Sequence, residues 1–360
     1  MNRALNFNAG PAALPAWALQ EAQKELLNFR NTGMSVMELS HRSKEYEEVH
    51  NEAKSLLQTL FNIPDQYEIL FLQGGASLQF SMVPMNLLEE GKTAYYALTG
   101  SWSEKALKEA QKVGKTEIAI SSKENNYKNI PALDASAIPS DAAYLHITSN
   151  NTIYGTQWQS FPTGLNVPVI ADMSSDIGNR PLNVEQFDLI YAGAQKNLGP
   201  SGVTVVIMKK DLLSKSSDKL PTMLNYNTHA KNNSLYNTPP TFGIYLLSLV
   251  LKWVQQEGGL EAIGKRNALK ADLLYKAIDN SNGFYNGHAE PDSRSNMNVT
   301  FTLHSDEASK AFLAQAKEAG FVGLNGHRSV GGCRASIYNA VPVENVERLA
   351  QFMDDFRKNF

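Results

Sequence analysis

Short, almost entirely apolar segments recur between residues 67 and 208, and helical patterns lie between several of them. Strands that are buried on both faces have this composition, as in a parallel sheet covered by helices. Apolar residues at helical spacing occur in residues 14–31, 43–62 and 101–113. The pattern therefore predicts an α/β fold with a mostly parallel sheet between layers of helices. The predicted strands cover residues 67–72, 94–98, 117–120, 143–148, 168–171, 189–192 and 203–208.

The length of the chain, 360 residues, indicates two domains, because single hydrophobic cores stop growing above about 250–300 residues. The Gly258-Gly259 pair separates two helical stretches and marks a boundary or hinge. After it come patterns of a smaller α/β unit, with two strands and two helices. We predict a large domain of residues 14–257 and a small domain of residues 258–360, with the segment 1–13 assigned to the small domain.

Charge and cysteine content exclude several classes of protein. The formal net charge is -3, which argues against a strongly basic nucleic-acid binder. The single cysteine, Cys333, permits neither an intrachain disulfide nor a Cys-rich metal site. The longest apolar stretch, residues 242–254, is shorter than the roughly 20 residues that span a bilayer. We therefore expect a soluble cytoplasmic protein whose partners include neither nucleic acid nor membrane.

A glycine pair follows the first predicted strand, in Gly74-Gly75-Ala76-Ser77, and a helix is predicted to begin there. Backbone N–H groups at such a helix start can bind a phosphate, and the helix dipole adds roughly 0.3–1 kcal/mol. A tight strand-to-helix turn explains the same residues without any ligand. The motif taken alone therefore leaves both interpretations open.

Asp172 and Lys196 each follow a predicted strand, where ligands of open α/β sheets bind. Asp172 alone is equally well explained as a turn or cap residue, and no histidine or second carboxylate completes a metal site. Lys196 lies among small residues with no neighbouring charge. Together the two side chains fit a pyridoxal phosphate site. The amine would form a Schiff base with the aldehyde, and the carboxylate would pair with the ring nitrogen.

Two further residues could complete such a site. Trp102, just after a predicted strand, is a candidate for stacking on a cofactor ring, although a core tryptophan at a helix start is a fair alternative. Thr152 could give its hydroxyl to the ring oxygen.

Basic residues occur in loop-like segments rich in glycine and serine. Arginine suits planar, bidentate capture of carboxylate or phosphate. Each of these residues is by itself more typical of a solvated surface, so an acidic substrate is indicated only if the fold brings them together. They are His41, Arg42, His327, Arg328 and Arg334.

At this level of detail the chain resembles the phosphoserine aminotransferase family, fold-type I pyridoxal phosphate enzymes of aminotransferase class V. The resemblance extends from the Asn6–Ala12 segment through Gly33–Arg42 to Cys333–Ser336. Its most specific motifs are Gln73-Gly74-Gly75-Ala76-Ser77, Asp172-Met173-Ser174-Ser175, Ala194-Gln195-Lys196-Asn197-Leu198-Gly199-Pro200-Ser201-Gly202 and Tyr236-Asn237-Thr238-Pro239-Pro240.

The resemblance implies a role for each candidate residue. Lys196 would carry the cofactor and move the proton, Asp172 would pair with the ring nitrogen, Trp102 would stack and Thr152 would contact the ring oxygen. Arg334 would bind the substrate α-carboxylate. Ala76, Ser77 and Gln195 would bind the cofactor phosphate, Asn237 and Thr238 would reach it from the other subunit of a homodimer, and His41, Arg42, His327 and Arg328 would receive the distal anion, the last two from across the interface.

One position departs from the pattern, since some relatives carry arginine where this chain has Ser77. The phosphate pocket then has one fixed charge fewer, which bears on cofactor affinity and not on the reaction.

The implied reaction is reversible transamination between glutamate and 3-phosphohydroxypyruvate in serine biosynthesis, and some relatives also act in pyridoxine biosynthesis.

Rival interpretations are an alanine–glyoxylate type aminotransferase or a cysteine desulfurase of the same fold, and a ligand-sensing regulator. Cys333 directly precedes Arg334 at a predicted strand start, which suits packing better than a mobile nucleophile. The interpretation as a regulator lacks support, because the sequence shows no appended DNA-binding segment.

Overall fold

The structure is a computed structural model that describes residues 3–360. Its helices are α1 Ala16–Glu25, α2 Lys44–Leu60, α3 Gly75–Leu87, α4 Ser101–Ala110, α5 Tyr226–Lys231, α6 Thr241–Gln256, α7 Gly259–Asp279, α8 Asp306–Glu318 and α9 Val343–Asn359. Its strands are β1 Leu5–Asn6, β2 Tyr67–Leu72, β3 Thr93–Leu98, β4 Lys115–Ser121, β5 Tyr144–Thr148, β6 Asn150–Asn151, β7 Thr156–Gln157, β8 Val169–Asp172, β9 Leu189–Gly193, β10 Thr204–Lys209, β11 Tyr285–Gly287, β12 Asn298–Leu303, β13 Phe321–Val322 and β14 Cys333–Ser336.

A seven-stranded sheet in the order β2-β10-β9-β8-β5-β3-β4 forms the centre of the molecule. Strand β10 runs antiparallel to both of its neighbours, and the pairs among β9, β8, β5, β3 and β4 are parallel. The prediction of a mostly parallel α/β sheet is therefore confirmed. Because β5, β8 and β9 lie side by side and parallel, their carboxyl ends meet at one edge of the sheet.

Both faces of this sheet are buried, as the apolar composition of the strands predicts. On one face Leu145 and Ala171 pack with Leu57 of α2 and Leu247 of α6. On the other face Ile170 and its neighbours pack against α3 and α4. The edge strand β4 differs, since most of its residues are exposed or half-buried.

The C-terminal part builds a second apolar cluster around the antiparallel sheet β11-β12-β14. Leu5 and Phe7 belong to this cluster, and β1 pairs in parallel with β13. Helix α7 contributes Ile263 to the core of the large sheet and Leu274 to the C-terminal cluster. The helix is therefore shared, and the domain limits given above stay a prediction.

The helix predicted over residues 14–31 is shorter in the structure. Helix α1 ends at Glu25, and Arg30 and Asn31 have positive φ values of 45° and 63°. A helix cannot continue through residues in the left-handed region. Within residues 3–360 no helix is long and apolar enough to cross a membrane.

Candidate active site

A cavity of about 240 Å³ opens at the carboxyl ends of β5, β8 and β9, beside the first turns of α3 and α4. Ligands of open α/β sheets bind at this edge. The cavity brings together most of the residues that the sequence predicted for cofactor binding. It is lined by Gly74, Gly75, Ala76, Ser77, Trp102, Thr148, Asn150, Thr152, Asp172, Ser174, Ser175, Gln195 and Lys196.

The turn between β2 and α3 supplies one end of this cavity. Gly74 and Gly75 have φ values of 87° and 63°, which L side chains rarely adopt. Ala76 and Ser77 line the cavity in the first turn of α3, where backbone N–H groups lack partners inside the helix. This end can therefore hold an anion such as phosphate.

Lys196 follows β9, and its ammonium donates a 2.8 Å hydrogen bond to the carbonyl oxygen of Ala9. The N-terminal segment is held in place by a second bond, from the Ala12 N–H to the Gln195 carbonyl, also 2.8 Å. A Cβ atom on Gly10 would lie only 2.8 Å from Cε of Lys196. The lysine chain thus runs against a stretch of backbone that has room for glycine alone.

Asp172 ends β8 and is 5% exposed. Its Oδ1 accepts a 2.9 Å hydrogen bond from the Ser174 N–H. Burial raises the pKa of the Asp172 carboxyl, while the hydrogen bonds from Ser174 and the charge of Lys196 act in the opposite direction. A cationic ligand atom in the cavity would favour the charged carboxylate further.

Trp102 and Thr152 lie on the remaining sides of the cavity. Trp102 is in the first turn of α4, and the ammonium of Lys105 lies 4.2 Å from the centroid of its ring. Arg334 of β14 reaches the same place, where its Nη1 donates a 3.3 Å hydrogen bond to the carbonyl of Thr152. The C-terminal part thereby brings a guanidinium against Thr152 of the cavity wall, although Arg334 itself does not line the cavity.

His327 and Arg328 lie in the loop before β14, near Arg334 of the same chain. Burial lowers the pKa of His327, and the charges of Arg334, Arg328 and Lys105 lower it further. A histidine surrounded by these cations would gain a proton readily when an anion binds among them. The interpretation that His327 and Arg328 receive the distal anion across a subunit interface stays a prediction.

Asn237, Thr238, His41 and Arg42 are absent from the lining of the cavity in their own chain. Thr238 Oγ1 lies 3.4 Å from Nδ1 of His41, and the Thr238 carbonyl accepts a 3.3 Å hydrogen bond from the side chain of Gln73. Thr238 and His41 therefore lie close together outside this cavity.

Comparison with known proteins places this geometry in a family. A family model described as aminotransferase class-V matches residues 4–349. The chain belongs to the class-V aminotransferase family. A phosphoserine aminotransferase of Geobacillus kaustophilus (strain HTA426) is 69% identical over 362 residues, with 100% of both chains covered.

Solved structures agree with this assignment. One phosphoserine aminotransferase, studied for radiation damage of its Schiff base, is 64% identical, has a TM-score of 0.97 and covers 100% of both chains. A pyridoxal phosphate-bound phosphoserine aminotransferase from Trichomonas vaginalis is 40% identical and has a TM-score of 0.92, with 98% of this chain and 100% of that one covered. The resemblance to phosphoserine aminotransferases is thus confirmed.

The cofactor of this class-V aminotransferase is pyridoxal phosphate, and the cavity fits it. An amine that can bond an aldehyde, a buried carboxylate that can face a cationic ring nitrogen, and a helix start that can hold phosphate all lie around one space. Within residues 3–360 no group of three or more histidine, cysteine, aspartate or glutamate side chains is arranged to hold a metal ion.

Sequence reasoning missed several residues of the aminotransferase site. Thr148, Asn150, Ser174 and Ser175 line the cavity. The last two directly follow Asp172, and Thr148 ends a predicted strand, so the rule about strand ends could have found them. The contact between Ala9 and Lys196 has no sequence signal, because it joins residues 187 positions apart.

Proposed function

We propose that this aminotransferase transfers the amino group of L-glutamate to 3-phosphohydroxypyruvate, giving 2-oxoglutarate and O-phospho-L-serine, in serine biosynthesis. One observation carries the proposal: Arg334, which bonds the cavity residue Thr152, and Arg328 are both close enough to His327 for their charges to act on it. Both amino acids carry an α-carboxylate and a distal anion, so one set of cations serves both. The names of the relatives support the same substrates.

Some residues at the cavity transfer protons, and others orient the cofactor. When bound, pyridoxal phosphate supplies the electron sink that stabilises negative charge at the substrate Cα. Lys196 takes the Cα proton as a general base and returns it as a general acid. Asp172 keeps the ring nitrogen protonated, because a charge-assisted pair of this kind contributes about 1.5–3 kcal/mol.

Orientation comes from the walls of the cavity. Trp102 stacks on the ring and Thr152 holds the ring oxygen, while Ala76, Ser77 and Gln195 bind the phosphate. Since Ser77 carries no charge, these donors act mainly through hydrogen bonds and the helix start. Arg334 binds the α-carboxylate in the planar geometry that suits a guanidinium.

The experiment compares amino donors in a coupled assay that records glutamate formed from 2-oxoglutarate. O-phospho-L-serine should be used with a kcat/KM at least about 10²-fold higher than L-serine, because L-serine lacks the anion that forms charge-assisted hydrogen bonds. L-alanine with glyoxylate tests the rival aminotransferase activity. Fast turnover of alanine without phosphoserine-dependent glutamate formation would overturn the substrate assignment.

We also infer that two copies of the chain share each site, as a homodimer. The phosphate end of the cavity, at Gly74 and Ser77, is exposed in the single chain. Near His41 the side chains of Met37 and Tyr236 are 54% and 48% exposed, which is unusual for large apolar groups. Asn237 and Thr238 lie on this surface and not in their own cavity, so they can reach a partner's phosphate end.

A mixed dimer tests this sharing. Lys196→Ala and Thr238→Glu should each abolish most activity, the second because a carboxylate would repel the partner's cofactor phosphate. Random mixing of the two variants should restore about a quarter of wild-type activity, since half of the dimers are mixed and each has one intact site of two.

The control for this mixture is Thr163→Glu, which changes an exposed loop residue outside the cavity and should retain activity. A mixture no more active than its two parent variants would show that the site is contained in one chain.

The cysteine desulfurase alternative makes a separate prediction. Cys333 is fully buried, and burial raises the pKa of its thiol to about 12. We expect no labelling by a thiol reagent at neutral pH unless the protein is unfolded, and near-normal transamination in Cys333→Ala. Rapid labelling of the native protein together with a loss of activity in the variant would restore the alternative. Mass spectrometry and the coupled assay measure the two effects.

A further inference from the structure

Thr148 is a buried hydroxyl residue that the family resemblance did not single out. It ends β5, is 3% exposed and lines the cofactor cavity. In the described structure its Oγ1 has no hydrogen-bond partner. Buried hydroxyls in proteins are nearly always bonded, so an unpaired one that faces a cavity points to a function there.

The register of the sheet places Thr148 directly beside Asp172. The two residues are partners in the β5–β8 pair, and Asp172 is in turn the partner of Tyr191 in β9. Register partners on neighbouring strands project to the same face of a sheet. The carboxylate of Asp172 is therefore flanked by the Thr148 hydroxyl on one side and by the Tyr191 ring on the other.

Other polar groups at this edge already have partners. The Tyr191 hydroxyl lies 2.9 Å from Nε2 of His146, and Ser175 Oγ donates to the carbonyl of Asn150 at 3.0 Å. Asp172 Oδ1 accepts a hydrogen bond from the Ser174 N–H, and the Ser174 side chain also acts on this carboxyl. Within the described residues no donor lies in hydrogen-bonding geometry to Oδ2. The Thr148 hydroxyl is thus a free donor beside a carboxylate with an unused oxygen.

We propose that Thr148 is a positioning residue of this enzyme: in the holoenzyme its hydroxyl, which has no partner in the described structure, donates a hydrogen bond to Oδ2 of Asp172 and holds the carboxylate aimed at the ring nitrogen of pyridoxal phosphate. A carboxylate oxygen has two lone pairs, so Oδ2 can accept from the hydroxyl and from the ring N–H together. The role lies in orienting Asp172 and not in contact with the amino-acid substrate.

The bond has a consequence for the charge of Asp172. Hydrogen bonds to an ionised carboxylate lower its pKa, so the loss of the hydroxyl should raise the pKa of Asp172. The other titratable groups that act on this carboxyl are Lys196, Asp176 and Tyr191. All three are retained when Thr148 is replaced, so a shift on replacement reports the hydroxyl.

Two full-length variants separate the hydroxyl from the packing of the side chain. Thr148→Val keeps the branched shape without the hydroxyl, and Thr148→Ser keeps the hydroxyl in a smaller side chain. Retention of pyridoxal phosphate by each holoenzyme is measured by equilibrium dialysis from pH 8 to pH 5. Thr148→Val should weaken binding about tenfold and move the acid-side loss of binding to higher pH. Thr148→Ser should keep both the cofactor affinity and the pH dependence of the wild type.

Two results would overturn the proposal. In one, Thr148→Val loses cofactor at the same pH as the wild type, so the hydroxyl has no effect on Asp172. In the other, Thr148→Ser behaves like Thr148→Val, so the side chain acts through its volume. The readout is cofactor binding and needs no amino-acid substrate, so an error in the proposed substrate does not affect it.

Discussion

Lys196→Ala should lower the rate of transamination by about 10⁴-fold or more, since a positioned acid–base group alone contributes 10²–10⁴-fold and the covalent attachment of the cofactor is lost as well. Lys196 is the one lysine that lines the cavity within the described part of the chain. Its ammonium is held by a backbone carbonyl and not by an acidic side chain. Removing it takes away the cation that lowers the pKa of the buried Asp172 carboxyl, which can then take up a proton, so we expect a folded protein.

The measurement is the visible spectrum of the holoenzyme before and after borohydride reduction. In the wild type the reduced adduct should map to the peptide that contains Lys196. Lys112→Ala, which changes a side chain 68% exposed just after α4, is the control and should match the wild type. An unchanged, reducible band in Lys196→Ala would show that another amine carries the cofactor.

Several cofactor-site residues that the sequence identified share one physical property: each lies where a strand ends or a helix begins. Asp172, Lys196 and Ser77 follow buried apolar strands, and such strands are recognisable without any knowledge of their partners. Since parallel neighbours end at the same edge, the rule about strand ends was enough to bring these side chains together. Apolar residues at helical spacing likewise predicted the helices that cover the sheet.

The remainder of the site depends on contacts between segments far apart in the chain. Ala9 meets Lys196 only because β1 pairs with β13 and Phe7 joins the C-terminal cluster. No local pattern encodes that pairing. The basic loops show the same limit, because the position of His327 beside Arg334 follows from the path of a glycine-rich loop and not from any periodicity.

The second large effect is expected for Asp172→Asn, which keeps the shape of the side chain and removes its charge. Transamination should fall about 10²- to 10³-fold, the usual loss when one preorganised electrostatic partner of a developing charge is removed. Affinity for pyridoxal phosphate should fall too, because a neutral amide stabilises a protonated ring nitrogen less well than a carboxylate does.

The direction in which cofactor affinity changes with pH follows from the groups at the site. Below its pKa Asp172 is protonated and cannot pair with the ring cation, so wild-type affinity should fall on acidification. Burial raises the pKa of this carboxyl, which brings the fall closer to neutrality. In Asp172→Asn the loss of cofactor affinity that comes from protonation of Asp172 should be absent. Only the loss due to protonation of the cofactor phosphate, whose second pKa is near 6, should remain.

Asp176 is the matched control for this assignment, because it is a second carboxyl 6% exposed nearby and does not line the cavity. Its carboxylate is bonded by Ser149 and by Gln157, and burial raises its pKa to about 6. Asp176→Asn should therefore keep both transamination and the acid-side loss of cofactor. If Asp176→Asn removes that loss and Asp172→Asn does not, the titrating partner is Asp176. In that case a change in the acid-side loss of cofactor in Thr148→Val would have to act through Asp176. Asp176 is not the register partner of Thr148, so this result would count against the role proposed for Thr148.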